Sequence, residues 1–197
     1  MDRRPPLTHQ TPRSADRIRM SLRIGRYQEK PATCRDYDPR FSEVARLVAS
    51  LIHSEYPFIT VEHIGSTAVE GCRGKGIIDL MALYPDDQWE QARAAIDSLG
   101  FQRQTTRDPF PEDRPMRVGS IEYDGDMLLL HVHVIAQSAE EARVLLSFRD
   151  RLRQDAALRA AYTACKEEII SSGITDSVDY SIAKGEFINR ALSGANC

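Results

Sequence analysis

Cysteine is scarce and scattered. The four present, Cys34, Cys72, Cys165 and Cys197, form no close pair. That spacing excludes a zinc-finger pattern and a disulfide framework, and it fits reduced thiols. No apolar run reaches the length needed to cross a bilayer, and the first residues lack the apolar segment of a secretory signal. A cytoplasmic protein without a membrane partner is therefore expected. Charge of one sign is not in excess either: 26 Lys and Arg stand against 29 Asp and Glu, a net charge of −3. Such a balance gives no overall field for nucleic acid, which is not an expected partner. Internal repeats and low-complexity segments are also missing. What is there is ordinary globular composition, 42% hydrophobic and 28% charged over 197 residues, enough for one domain with helical appendages.

The chemistry concentrates between Val61 and Leu83. Phe58 to Ile64 alternates, with Ile59, Val61 and His63 on one face and Phe58, Thr60, Glu62 and Ile64 on the other, which reads as a strand. It runs into Gly65-Ser66, a residue free to take positive φ followed by a hydroxyl and backbone N–H groups where a helix can begin. Those are the needs of an anion site. Thr67 to Gly76 carries three further glycines and the cations Arg73 and Lys75, which reads either as a phosphate clamp or as a solvated loop. Ile77 to Tyr84 is a second, almost wholly apolar strand, expected at the centre of a sheet. Asp79 interrupts it. A carboxylate there is costly to bury without a partner, whether a metal ion, a cationic ligand group or a hydrogen-bond donor.

Around this stretch the chain reads as alternating elements. Residues 1–26, rich in Arg and Pro, read as a flexible basic tail, with Ile18, Leu22 and Ile24 as a weak sign of order near its end. A helix follows Pro39, with Phe41, Val44, Val48 and Ile52 on one face, and ends before Pro57. Trp89 to Leu99 forms a second helix, capped by the preceding aspartates and closed by Gly100. Phe101 to Pro115 reads as loop, and Met116 to Tyr123 and Met127 to Ile135 as strands. On the latter, His131 and His133 share a face. Three helical segments follow, the first opening at Ser138 with a capping-box pattern.

Four separated motifs carry a family resemblance: Val61-Glu62-His63-Ile64-Gly65-Ser66-Thr67-Ala68-Val69, Lys75-Gly76-Ile77-Ile78-Asp79, Leu130-His131-Val132-His133-Val134, and Tyr180-Ser181-Ile182-Ala183-Lys184-Gly185-Glu186-Phe187-Ile188. Together they resemble the GrpB family, small bacterial proteins sometimes fused to dephospho-CoA kinase, over a single domain spanning 27–197. The resemblance implies the nucleotidyltransferase superfamily and its α/β (α+β) fold: a mixed β-sheet with helices packed on it and a C-terminal helical layer. That superfamily's signature is an apolar residue, Gly, then Gly or Ser, followed by a strand bearing two alternate carboxylates. Ile64-Gly65-Ser66 and Asp79 match its two halves.

One departure weakens the match. Position 81, where the second carboxylate belongs, is Met81, so a two-metal centre lacks one leg. The place of a third carboxylate is taken by His131 and His133. Asp79, His131 and His133 are therefore the candidate catalytic residues and a candidate set for a divalent metal (magnesium, manganese or zinc). They serve equally as an acid/base group, and the histidines equally as hydrogen-bonded sheet residues. Gly65, Ser66, Thr67, Lys75, Tyr180 and Lys184 are the expected phosphate or substrate contacts, with Glu62 or His63 facing the same pocket. The implied activity is transfer of a nucleotidyl or phosphoryl group with an atypical centre, on a small phosphorylated ligand such as a nucleotide. The alternative is a non-catalytic module binding a nucleotide or a CoA-type phosphate.

Overall fold

The computed structural model describes residues 22–30, 33–174 and 176–193. The first 21 residues of the expected basic tail thus lie outside the described residues. Leu22 and Ile24 belong to the ordered chain: both pack against the main core, and Gly25 forms an antiparallel bridge with Ser120.

Helix α1 (Arg40–Glu55) starts after Pro39, whose fixed φ suits a helix entry, and buries Phe41, Val44, Ala45, Val48 and Ile52 at helical spacing. Strand β1 (Thr60–Ile64) leads through Gly65 into a single 3-10 turn, Ser66–Ala68, and then the loop to β2 (Ile77–Tyr84). Helix α2 (Trp89–Ser98) crosses back, and β3 (Gln102–Arg103), β4 (Met116–Tyr123) and β5 (Asp126–Ala136) complete the sheet. Helices α3 (Glu140–Gln154), α4 (Ala156–Ser171) and α5 (Ser177–Ser193) follow. The sheet order is β1-β2-β5-β4-β3. β2 runs parallel to β5 and every other pairing is antiparallel, so the sheet is mixed, as expected.

Period-two alternation on β2 divides the protein into two layers. Ile78, Leu80, Ala82 and Tyr84 face α1 and α2 and form the main core with Leu130, Val132 and Val134 of β5. Met81 and Leu83 take the opposite face, with Ile64, Ile135 and Ala142 of α3. A third cluster, built on Val69, Phe148, Leu152, Tyr162 and Phe187, ties the C-terminal helical layer to the loop after β1.

Three local expectations differ from the structure. The segment after Phe101 is not all loop, because Gln102 and Arg103 pair with Val118 and Arg117 as a short edge strand. The capping box at Ser138 does not form: the N-cap residue is Ala139, one position later, so Glu141 is not at the third helical position that reaches back to a cap. Helix α2 likewise has no side-chain cap: its N-cap residue is Gln88, not one of the preceding aspartates. Side-chain caps do form at Asp155, whose carboxylate accepts from the Leu158 N–H at 2.9 Å at the start of α4, and at Asp176, which accepts from the Val178 and Asp179 N–H groups at the start of α5.

Candidate functional site

The register of β2 against β5 builds the site. Asp79 stands opposite His131 and Met81 opposite His133, all on the face of the C-terminal helices. β1 adds Ile64 opposite Asp79, which brings Gly65 directly over the carboxylate. Gly65 has φ 72° and ψ −171°, and a Cβ there would lie 2.5 Å from Asp79 Oδ2. Glycine is required by both the backbone region and the contact.

A cavity of about 1120 Å³ opens beside this junction. Gly65, Ser66, Lys75, Asp79, His131, His133, Tyr180 and Lys184 all line it. Asp79 Oδ1 is 3.3 Å from His131 Nδ1, with the two side chains about a quarter and a fifth exposed. Burial alone would raise the Asp79 pKa. The hydrogen bond and charge of His131, with the charges of Lys184 and His133, more than offset that and hold it down to about 2. His133 is pushed down to about 3, chiefly by burial, and is therefore neutral at physiological pH. Its Nδ1 is buried without a hydrogen-bond partner, and its ring meets Phe110 edge to face at 5.5 Å between centroids. In the same cavity Lys75 Nζ lies 3.9 Å from the centre of the Tyr180 ring, and Lys184 Nζ lies 5.9 Å from it. Burial and the neighbouring Lys184 lower the Lys75 pKa to about 8.

Three expected contacts do not line the cavity. Thr67 is buried and donates from Oγ1 to the Ile77 carbonyl at 3.2 Å. With its one proton committed, its hydroxyl accepts from His63 Nε2 at 3.0 Å. His63 is held neutral, lowered to about 4 mainly by burial. Thr67 and His63 thus brace the turn from behind. Glu62 shares the sheet face of Asp79, but Arg149 of α3 claims it at 2.8 Å. Nor does Ser66 open an α-helix: it begins a single 3-10 turn, which has no macrodipole to lend. Arg73 is also withdrawn, paired with Asp36 at 2.8 Å and with Glu167.

Comparison with known proteins identifies the chain. The family model described as "GrpB protein" matches residues 31–193. This chain belongs to the GrpB family. It is 32% identical to the UPF0157 protein SCO7215 of Streptomyces coelicolor over 155 residues, 78% of each chain. To the UPF0157 protein BH1888 of Halalkalibacterium halodurans it is 26% identical over 98% of both. Its fold is similar to that of the conserved protein GrpB from Enterococcus faecalis, with a TM-score of 0.58, 19% identity, and coverage of 81% of this chain and 99% of that one.

In this GrpB chain the donors do not fit a two-metal centre. Met81 is fully buried among Ile64, Leu83 and Ile135, so the second carboxylate's place is filled by core. Asp79 and His131 engage each other. Among the described residues, no group of three or more His, Cys, Asp or Glu side chains is placed to hold a metal ion.

Two site residues escaped the motifs. Tyr27 precedes the matched segment and lies at the edge of the Arg-rich tail, yet its hydroxyl reaches His131 Nε2 at 3.1 Å. Burial first, then the charges of Glu29 and Asp79, push its pKa up to about 12. Lys166 of α4 is 1% exposed and donates to the Arg73 carbonyl and to Cys72 Sγ, holding the basic loop against the helical layer. No periodicity marks either residue, since each acts through a contact distant in sequence.

Proposed function

We propose that the cavity binds a small phosphorylated ligand of the nucleotide class and transfers its nucleotidyl or phosphoryl group to a hydroxyl. In this reading the phosphates sit between Ser66, Lys75 and Lys184, and the Asp79–His131 pair moves the proton. One observation carries it: an ionised carboxylate hydrogen-bonded to an imidazole opens into the same cavity as two convergent lysines. A base oriented by a carboxylate is suited to deprotonating an attacking hydroxyl, a contribution of about 10²–10⁴-fold in rate. The lysines supply the positive charge that phosphoryl oxygens need. The signature formed by Ile64-Gly65-Ser66 and Asp79 on paired strands supports the same reading. A divalent ion brought with the phosphates would add charge neutralisation, but the chain's donors do not themselves build the usual centre.

A second reading, binding without chemistry, draws on Met81. The full burial of that side chain in an apolar cluster removes a leg of the standard transferase centre. A thermal-shift series separates the two. ATP, GTP, CTP, UTP and CoA are each added with and without magnesium, manganese or zinc. A ligand at a hundredfold excess over its Kd stabilises by about 2.7 kcal/mol. A shift lost in Ser66→Ala and Lys75→Ala supports the phosphate site. Turnover of the shifting ligand, lost in Asp79→Asn, supports transfer, and a shift without turnover supports binding alone. The absence of any shift contradicts both.

A further inference from the structure

Tyr27 has no part in the transfer chemistry proposed for the cavity, although its hydroxyl stands at the end of a hydrogen-bonded chain. Asp79 Oδ1 lies 3.3 Å from His131 Nδ1, and His131 Nε2 lies 3.1 Å from the Tyr27 hydroxyl. An ionised carboxylate only accepts, so Nδ1 carries the imidazole proton and Nε2 presents its lone pair. The phenol must then donate to Nε2. Each bond in the chain has one direction: hydroxyl to imidazole to carboxylate. That is the constellation of an activated nucleophile, in which a base touches the attacking group and a third residue orients the base.

The placement is firm. The Tyr27 backbone N–H donates to Gln102 Oε1 at 2.9 Å, and Gly25 exchanges two backbone hydrogen bonds with Ser120 at 2.8 and 3.1 Å. The segment is thus strapped to the sheet by backbone contacts, and the ring is free to serve the cavity. Tyr27, His131 and Asp79 line the same cavity as Ser66, Lys75 and Lys184.

Resting on the nucleotide reading, we propose that Tyr27 is a catalytic nucleophile that takes the nucleotidyl group from a nucleoside triphosphate and carries it as a covalent tyrosyl nucleotide. The Tyr27 oxygen forms a bond to the α-phosphorus. The bridging bond between the α- and β-phosphates breaks, and pyrophosphate leaves with the electron pair. The phenol proton passes to His131 Nε2, and the resulting imidazolium is neutralised by Asp79. In the second half an acceptor hydroxyl attacks the same phosphorus and releases its proton to solvent; the bond to the Tyr27 oxygen breaks, that oxygen keeps the electron pair, and His131 returns its proton to it. The metal-ligand shortfall at Met81 fits such a route, because the first acceptor is delivered by the fold and not held by a second ion.

The test uses the full chain with the four ribonucleoside triphosphates, each labelled at the α-phosphate, with and without magnesium. Equilibrium dialysis reads binding, and acid quench followed by denaturing electrophoresis reads covalent label, since an aryl phosphodiester survives both. The expected result is one label per chain with release of one pyrophosphate, mapped by peptide mass spectrometry to Tyr27. Label is lost in Tyr27→Phe, which still retains the triphosphate in dialysis, and appears about 10²–10⁴-fold more slowly in His131→Gln. Triphosphate retained by the native chain with no covalent label, or equal labelling of Tyr27→Phe, overturns the nucleophile while leaving the binding reading intact. No retention in dialysis overturns both.

Discussion

Replacing Gly65 with alanine should weaken the fold and separate Asp79 from His131. At φ 72° and ψ −171° the backbone sits in a region essentially reserved for glycine, and placing alanine there costs about 1–3 kcal/mol. The new Cβ would stand 2.5 Å from Asp79 Oδ2 and 3.2 Å from its Cβ and Cγ, so the carboxylate must rotate. Asp79 is 24% exposed and can turn its carboxylate toward the cavity, which relieves the Oδ2 contact but not the 3.2 Å contact to Cβ, and breaks the 3.3 Å contact with His131. For a chain of this size each kcal/mol moves Tm by about 2–4 °C, so Gly65→Ala should melt about 2–12 °C lower. Differential scanning calorimetry measures that shift. The proton on His131 Nδ1, followed by NMR, should lose the signature of a carboxylate partner. An unchanged Tm together with an unchanged Nδ1 proton would refute both the strain and the placement of Gly65 over Asp79.

The remaining predictions concern charge and the filled carboxylate position. Lys75, lowered to about 8, is charged below that pH, so affinity for a phosphorylated ligand should fall as pH rises through 8; in Lys75→Arg the decline should move well above pH 10, as pH-dependent titration would show. Stability should move the other way. Between pH 8 and the ordinary lysine value of 10.5 the unfolded chain binds more protons at this residue, so its penalty on the fold is relieved as pH rises there. Met81→Asp places a carboxylate in a fully buried apolar cluster; urea unfolding should show a loss of about 3 kcal/mol or more, and an unaltered midpoint would contradict the packing. Arg117, 1% exposed, joins Asp97 of α2 and Glu112 at 2.5 and 2.9 Å. In Arg117→Met those carboxylates, each about 40% exposed, regain water, so the loss should be about 1–2 kcal/mol, below the roughly 3–5 of a fully buried pair.

Much of the site was legible because it is built from periodic elements. Alternation alone sorted His131 and His133 from Leu130, Val132 and Val134, and the structure sends the latter three to the main core. The apolar run around Asp79 marked a central strand, and β2 lies between β1 and β5. Alternation could not supply the register that sets Asp79 against His131, because pairing depends on the whole sheet. The fate of Glu62 shows the same limit. Alternation left open whether Glu62 or His63 faces the pocket; Glu62 shares the face of Asp79, but Arg149, 87 residues away, claims the carboxylate. Tyr27 lies 104 residues from His131 in a stretch with no pattern, so nothing local announced it. The cap at Ser138 failed for a smaller reason, a one-residue shift in where the helix starts.

In the proposed function, Lys75 and Lys184 of the cavity shared with the Asp79–His131 pair form a phosphate-ligand site. Calorimetric titration of the native chain and a Lys75→Ala, Lys184→Ala double variant with the four ribonucleoside triphosphates tests it most directly. One triphosphate should bind per native chain, with an affinity at least tenfold lower in the double variant, about 1.4 kcal/mol. No binding to the native chain, or equal affinity in the two proteins, would contradict it.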